Sequence, residues 1–152
     1  MNSIERQREI VAAHFAAVNA HDWKAVLATF TGEWPTFEHM PANLRMNGYS
    51  GIDEAYQVIS DALPDLQVHI NTEIDVPGSS VREIVIAGTH LGIYHGFKAS
   101  GRAIQFSCAC FFLFDEAAHL HTLRCYFDNE TVLRQMHGVA EPFFPSHLRV
   151  AA

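Results

Sequence analysis

The spacing of apolar residues divides the chain into a helical first third and an extended remainder. Ile4, Val11, Phe15 and Val18 share one stripe of a helix running to about Asn19, and Asn2 with Glu5 reads as its capping box. His21-Asp22 interrupts that stripe. Asp22 is placed to cap a second helix in which Trp23, Val26, Leu27 and Phe30 recur at i, i+3, i+4 and i+7. Thr31-Gly32 ends it. Residues 33–40 mix aromatic and polar side chains and read as a short strand, and residues 41–48 read as a loop. Ser50 and Asp53 give a second capping signature, ahead of a third helix with Ile52, Tyr56, Ile59 and Leu63 on its buried face and Pro64 as its stop.

From Leu66 the period is that of strands. Extended segments are expected at about 66–76, 81–96, 102–115 and 119–128, joined by turns at Pro77-Gly78-Ser79-Ser80, Ser100-Gly101 and 115–118. Short turns between successive strands predict an antiparallel meander. A last short helix is expected from Asn129 to Met136. A tail follows the domain of residues 1–138; it spans 139–152, carries Pro142 and Pro145, and is expected to lie along the surface or a partner subunit.

Segment 102–115 decides the fold class. Ile104, Phe106, Cys108, Cys110, Phe112 and Phe114 lie on one face, and Ala103, Gln105, Ser107, Ala109, Phe111 and Leu113 on the other. A strand wetted on one side alternates apolar and polar positions. Neither face here is charged, so both should be covered, one by helices and one by a concave interior or a second chain. The expected fold is α+β: a cone-shaped, curved antiparallel sheet wrapped with the N-terminal helices around an apolar pocket.

Composition narrows the partners. The chain has 152 residues, enough for one domain, and a formal charge of −7 with no basic run. Phosphate backbones and acidic lipid heads are recognised by clustered positive charge, so neither nucleic acid nor membrane is expected as a partner. There is no signal-like apolar segment at the start and no stretch of roughly 20 apolar residues, which favours a cytoplasmic protein. The three cysteines, Cys108, Cys110 and Cys125, lack zinc-knuckle spacing and read as buried free thiols. Ten histidines invite a metal, but neither His119-x-His121 nor His90 with His95 has a third ligand at an obvious spacing, so no metal site is assigned.

Several short motifs occur in a telling order: Leu63-Pro64-Asp65-Leu66, Gly88-Thr89-His90-Leu91-Gly92, Gly101-Arg102, and Tyr126-Phe127-Asp128 leading into Val132-Leu133-Arg134-Gln135-Met136. Over residues 5–138 this order resembles the SnoaL-like polyketide cyclase family, of the nuclear transport factor 2-like (cystatin-like) fold. Ser100 stands where the family pattern has Thr, residues 115–118 replace its common Asp-Gly-Lys turn, and Met136-His137-Gly138 replaces its Leu-Gly.

The resemblance implies that Asp128 is the general acid/base of an intramolecular aldol closure on a small apolar, polyketide-like carbonyl compound. A carbon between two carbonyls is acidic enough that one carboxylate suffices, with no cofactor. Asp128 also suits the N-cap of the last helix, with Asn129 as the other candidate. Strand alternation puts Leu120, Thr122, Arg124, Tyr126 and Asp128 on one face, which offers Tyr126 as an oxyanion donor and Arg124 as an anchor for an acidic group. His90 is the second catalytic candidate, against a strand histidine bonded to backbone. Phe106 and Phe112 are expected as pocket walls; Trp34 and His39 lie in the strand expected at the rim, although core packing suits Trp34 as well. Isomerase, dehydratase or epoxide hydrolase chemistry on the same fold, or ligand binding without catalysis, remain open alternatives. The apolar outer face of 102–115 predicts a homodimer packed through the sheet.

Overall fold

In the computed structural model residues 2–139 are described, and they form four helices and a six-stranded sheet. α1 (Ser3–Asn19) opens on the capping box, the Asn2 side chain accepting the Glu5 N–H at 2.9 Å and the Glu5 carboxylate accepting the Asn2 N–H at 3.0 Å. α2 (Trp23–Ala28) starts at Asp22, which accepts the Ala25 N–H. β1 (Thr36–Met40) and β2 (Leu44–Asn47) precede α3 (Gly48–Ala62). Then come β3 (Gln67–Val76), β4 (Ser79–Thr89), β5 (Ala103–Phe114), β6 (Leu120–Tyr126) and α4 (Asn129–His137). The tail expected from residue 139 lies, beyond Val139, outside the described residues.

The sheet runs in the order β2-β1-β6-β5-β4-β3. β3 to β6 form the expected antiparallel meander. β1, however, lies parallel to β6, from Thr36 opposite Thr122 to Met40 opposite Tyr126. β2 occupies part of the segment read as a loop. It has four residues, three of them exposed, too few for an alternation to register. α3 starts earlier than the Ser50-x-x-Asp53 signature indicates: the residue before it, Asn47, makes no side-chain cap, and Asp53 accepts from Gln57 one turn on.

β4 stops at Thr89, short of the expected residue 96. The backbone leaves the sheet there because other partners claim it. Asp65 takes the Thr89 N–H and hydroxyl, both at 2.7 Å, while Leu91 N–H donates to the Ala62 carbonyl at the end of α3. Gly92 passes so close to α3 that a Cβ would fall 1.8 Å from the Asp61 carbonyl oxygen. Residues 90–101 form a closed excursion: His90 and Arg102 pair at its neck, and Tyr94 and Phe97 pair at its tip. His95 and Gly96, with φ of 45° and 84°, make the tip turn.

The inner face of β5 is buried as expected, from Ile104 to Phe114, and α1 and α3 pack over it. Its outer face is not covered by the described residues: Ala103, Gln105 and Ser107 are exposed and Ala109, Phe111 and Leu113 half-buried. At one end of the sheet the core turns polar. Arg82, 1% exposed, pairs with Asp75 at 3.0 Å and Glu73 at 3.3 Å, and Gln7 of α1 bonds the β3–β4 turn at Val76 and Gly78. This polar knot fixes α1 across the hairpin and leaves the apolar space toward the other end.

Candidate active site

An apolar cavity of about 200 Å³ lies between α1, α3 and the concave face of the sheet. Ile84 and Ile86 of β4, Phe106, Cys108 and Cys110 of β5, and Leu123 and Cys125 of β6 form its sheet wall. Phe15 and Val18 of α1 and Tyr56 and Ile59 of α3 close the helical side. Among the described residues, no carboxylate, lysine or arginine lines it. A second, more open recess shares His39, Leu44, His95 and Phe127 with the cavity and adds Asp128, Asn129 and Glu130. These shared residues mark the mouth.

His39 is the polar group best placed for chemistry. It sits in β1 opposite Cys125, its ring stacked on Phe127 at 4.1 Å between centroids. Its Nε2 is buried and has no hydrogen-bond partner. Burial lowers its pKa from the ordinary histidine value, a nearby Cys108 thiolate would raise it, and His95 lowers it further. The ring is therefore neutral at physiological pH, with one nitrogen able to accept a proton and one able to donate.

Phe106 lines the cavity as expected, tilted against Phe127 at 5.3 Å. The other expected residues lie elsewhere. Asp128 is exposed and caps α4, accepting the Glu130 N–H at 3.1 Å and the Thr131 hydroxyl at 2.7 Å. It reaches only the outer recess. Arg124 and Tyr126 face away from the cavity, which corrects the face read from alternation. A register shift between β5 and β6 leaves His121 as an extra residue, so Leu120 and then Leu123, Cys125 and Phe127 point inward. On the outer face Arg124 pairs with Glu38, and Tyr126 meets Phe111 edge-on at 5.6 Å. Phe112 is fully buried beneath α1, against His14 and Phe15, and lines no part of the cavity. Trp34 is 83% exposed.

His90 stands at the neck of the 90–101 excursion, outside the cavity. Its Nδ1 accepts the Ser100 N–H at 3.2 Å and meets the Ser100 hydroxyl at 2.9 Å. The other motif residues are joints as well. Gly88 admits Leu63 and Asp65 within 3.1 Å of where a Cβ would stand, and Arg102 lies over Gly138 at the end of α4.

Two further arrangements have no counterpart in the spacing of the sequence. One is a relay behind the cavity: the Tyr56 hydroxyl donates to His14 Nε2, and His14 Nδ1 donates to Thr29 Oγ1, whose own hydrogen goes to the Val26 carbonyl. Burial pushes His14 down to about 3 and raises Tyr56 well above its usual value, so both are neutral. The other is the convergence of Cys108, Cys110 and Cys125. Cys125 lies directly opposite Cys110, and sulfur separations are 3.7 Å for Cys108–Cys110 and 3.5 Å for Cys110–Cys125.

The model of the SnoaL-like polyketide cyclase family matches residues 8–136. The chain belongs to the SnoaL-like polyketide cyclase family. Solved structures agree on the fold at low identity. A candidate SnoaL-like polyketide cyclase from Jannaschia sp. CCS1 superposes with a TM-score of 0.82 at 17% identity, over 93% of this chain and 97% of that one. AclR, a candidate hydroxylase from Streptomyces galilaeus, gives 0.79 at 12% identity, over 95% and 88%. The epoxide hydrolase/cyclase-like enzyme SalBIII gives 0.69 at 16%, over 84% and 94%. A search of curated protein sequences gives no match. The same SnoaL-like frame thus carries proteins described by different chemistries, and the function of this one rests on its own cavity.

Proposed function

We propose that this SnoaL-like chain is a cytoplasmic, cofactor-independent acid/base enzyme acting on a small apolar carbonyl compound, with His39 as the proton carrier. The observation that carries the reading is the buried, partnerless Nε2 of His39 at the mouth of a cavity that no carboxylate lines among the described residues. A cavity of about 150 Å³ holds a benzene ring, so this one suits a compact ring or a short dicarbonyl chain. Bound with its acidic carbon against His39, such a compound loses a proton to the neutral imidazole. The enolate then attacks a second carbonyl, and the imidazolium returns the proton to the new alkoxide. Apolar walls exclude water and strengthen the attraction between enolate and imidazolium. Asp128, the carboxylate favoured by the family resemblance, is committed to capping α4; an aldol closure with Asp128 as the base is the competing assignment at the same mouth.

Deuterium uptake tests this without the natural substrate. A panel of small apolar 1,3-dicarbonyl compounds in D₂O should exchange at the acidic carbon faster with the protein than without it. His39→Gln should abolish the acceleration, and Asp128→Asn should leave it within about twofold. Loss with Asp128→Asn alone would move the base to Asp128. Ligand binding without exchange in the unsubstituted protein would make the chain a binding domain. Because His39 acts as a neutral base, exchange should fall as pH drops, with a midpoint below the ordinary value of about 6.5.

A further inference from the structure

We propose that Cys108, Cys110 and Cys125 form a three-thiol capture site for trivalent arsenic in the wall of the cavity. The proposal is independent of the proton-transfer reading, since it uses the thiols and not His39. All three cysteines of the chain meet at one place, and their three sulfurs lie within 4.8 Å of one another. Two come from alternate positions on β5 and the third from the facing position on β6. A centre with bonds to sulfur of about 2.3 Å holds its sulfurs about 3.8 Å apart. The observed 3.5 and 3.7 Å separations are close to that edge.

Charge selects the occupant. Among the described residues the cavity lining supplies no lysine, arginine or carboxylate. A divalent ion on three thiolates leaves one net negative charge, and monovalent copper leaves two. Burying either without a counter-charge is costly. Trivalent arsenic on three thiolates is neutral. The exchange balances without any redox step: arsenous acid loses three hydroxyls, each leaving as water with one thiol proton, while three As–S bonds replace three As–O bonds. The site also opens on free space, so an arsenical carrying one organic group has room for that group and exchanges two oxygens for two thiols. The shared ligand chemistry is trivalent arsenic with at least two exchangeable oxygens.

The test uses the full chain, reduced and then freed of reductant, with arsenite in one arm and phenylarsine oxide in the other. Arsenite should add one arsenic less three hydrogens to the intact mass, and X-ray absorption should report three sulfur neighbours. Phenylarsine oxide should add one phenylarsenic less two hydrogens and leave one thiol titratable. Cys108→Ala, Cys110→Ala and Cys125→Ala should each reduce the sulfur count with arsenite to two. Should these variants fail to fold, the absorption spectrum of the unsubstituted protein still decides. No retained arsenic, oxygen neighbours in place of sulfur, or a count of three sulfurs persisting in folded alanine variants would overturn the proposal. So would displacement of bound arsenic by equimolar zinc or monovalent copper.

Discussion

His14 and His39 are both held toward the neutral state by burial, but only His39 has a ring nitrogen without a partner. His14 is locked between Thr29 and Tyr56 and has no path to a ligand. Its cost appears in stability. In the unfolded chain it takes a proton at about pH 6.5, and in the folded chain only at about 3. Between those values the unfolded state binds more protons, so stability falls as pH falls across that window, by up to a few kcal/mol. Urea midpoints measured from about pH 7 to pH 4 should show the decline, and His14→Gln should flatten it while lowering stability at neutral pH. Neither role was legible in the sequence. His14 is one residue from Phe15 on a helix whose stripe is obvious, yet its two partners come from other helices, 15 and 42 positions away. The place of His39 in a rim strand is visible in the sequence, and there it stands; its orphaned nitrogen depends on packing that no spacing encodes.

Long, strongly periodic elements were legible and short or perturbed ones were not. α1, α2, β5 and α4 fall close to where the hydrophobic pattern puts them, because each buries part of an apolar stripe, and β3 falls there too although its apolar residues are only half-buried or exposed. β2 was missed because its residues are mostly exposed. The inward face of β6 was misread because one extra residue, His121, inverts the alternation past it. Asp128 illustrates two signals competing for one residue: the family motif points to chemistry, while the following helix takes the carboxylate as its cap. Asp128→Ala should therefore lower stability by about 1 kcal/mol, read as a shift in the urea midpoint. The β4–β5 excursion makes a second element-scale test. Gly92→Ala should destabilise the protein by more than Asp128→Ala in the same titration, because the added methyl meets the Asp61 carbonyl, which is backbone.

For the whole molecule, the apolar half of the outer face remains to be accounted for. Phe111, Leu113 and Tyr126 form a patch beside the Glu38–Arg124–Arg45 ion pairs. We expect two copies to meet there as a homodimer. Sedimentation should give twice the chain mass, and Phe111→Asp should shift the protein to monomer without changing its far-UV spectrum; a wild-type monomer at micromolar concentration would refute the interface.

The parallel seam between β1 and β6 bears on when the cavity comes into being. Thr36 and Thr122 join hydroxyls across 86 positions of chain, and Glu38 meets Arg124 across the same span. Apart from β6, β1 pairs among the described residues with short β2 alone. During synthesis, therefore, helices α1 to α3 and the β3–β5 meander emerge before His39 has any seat. The mouth closes only when β6 arrives, after loop-closure entropy has been met over most of the chain's length. A nascent chain ending before Leu120 should bury its helices yet hold no ligand, and the last step of folding should coincide with the appearance of the site.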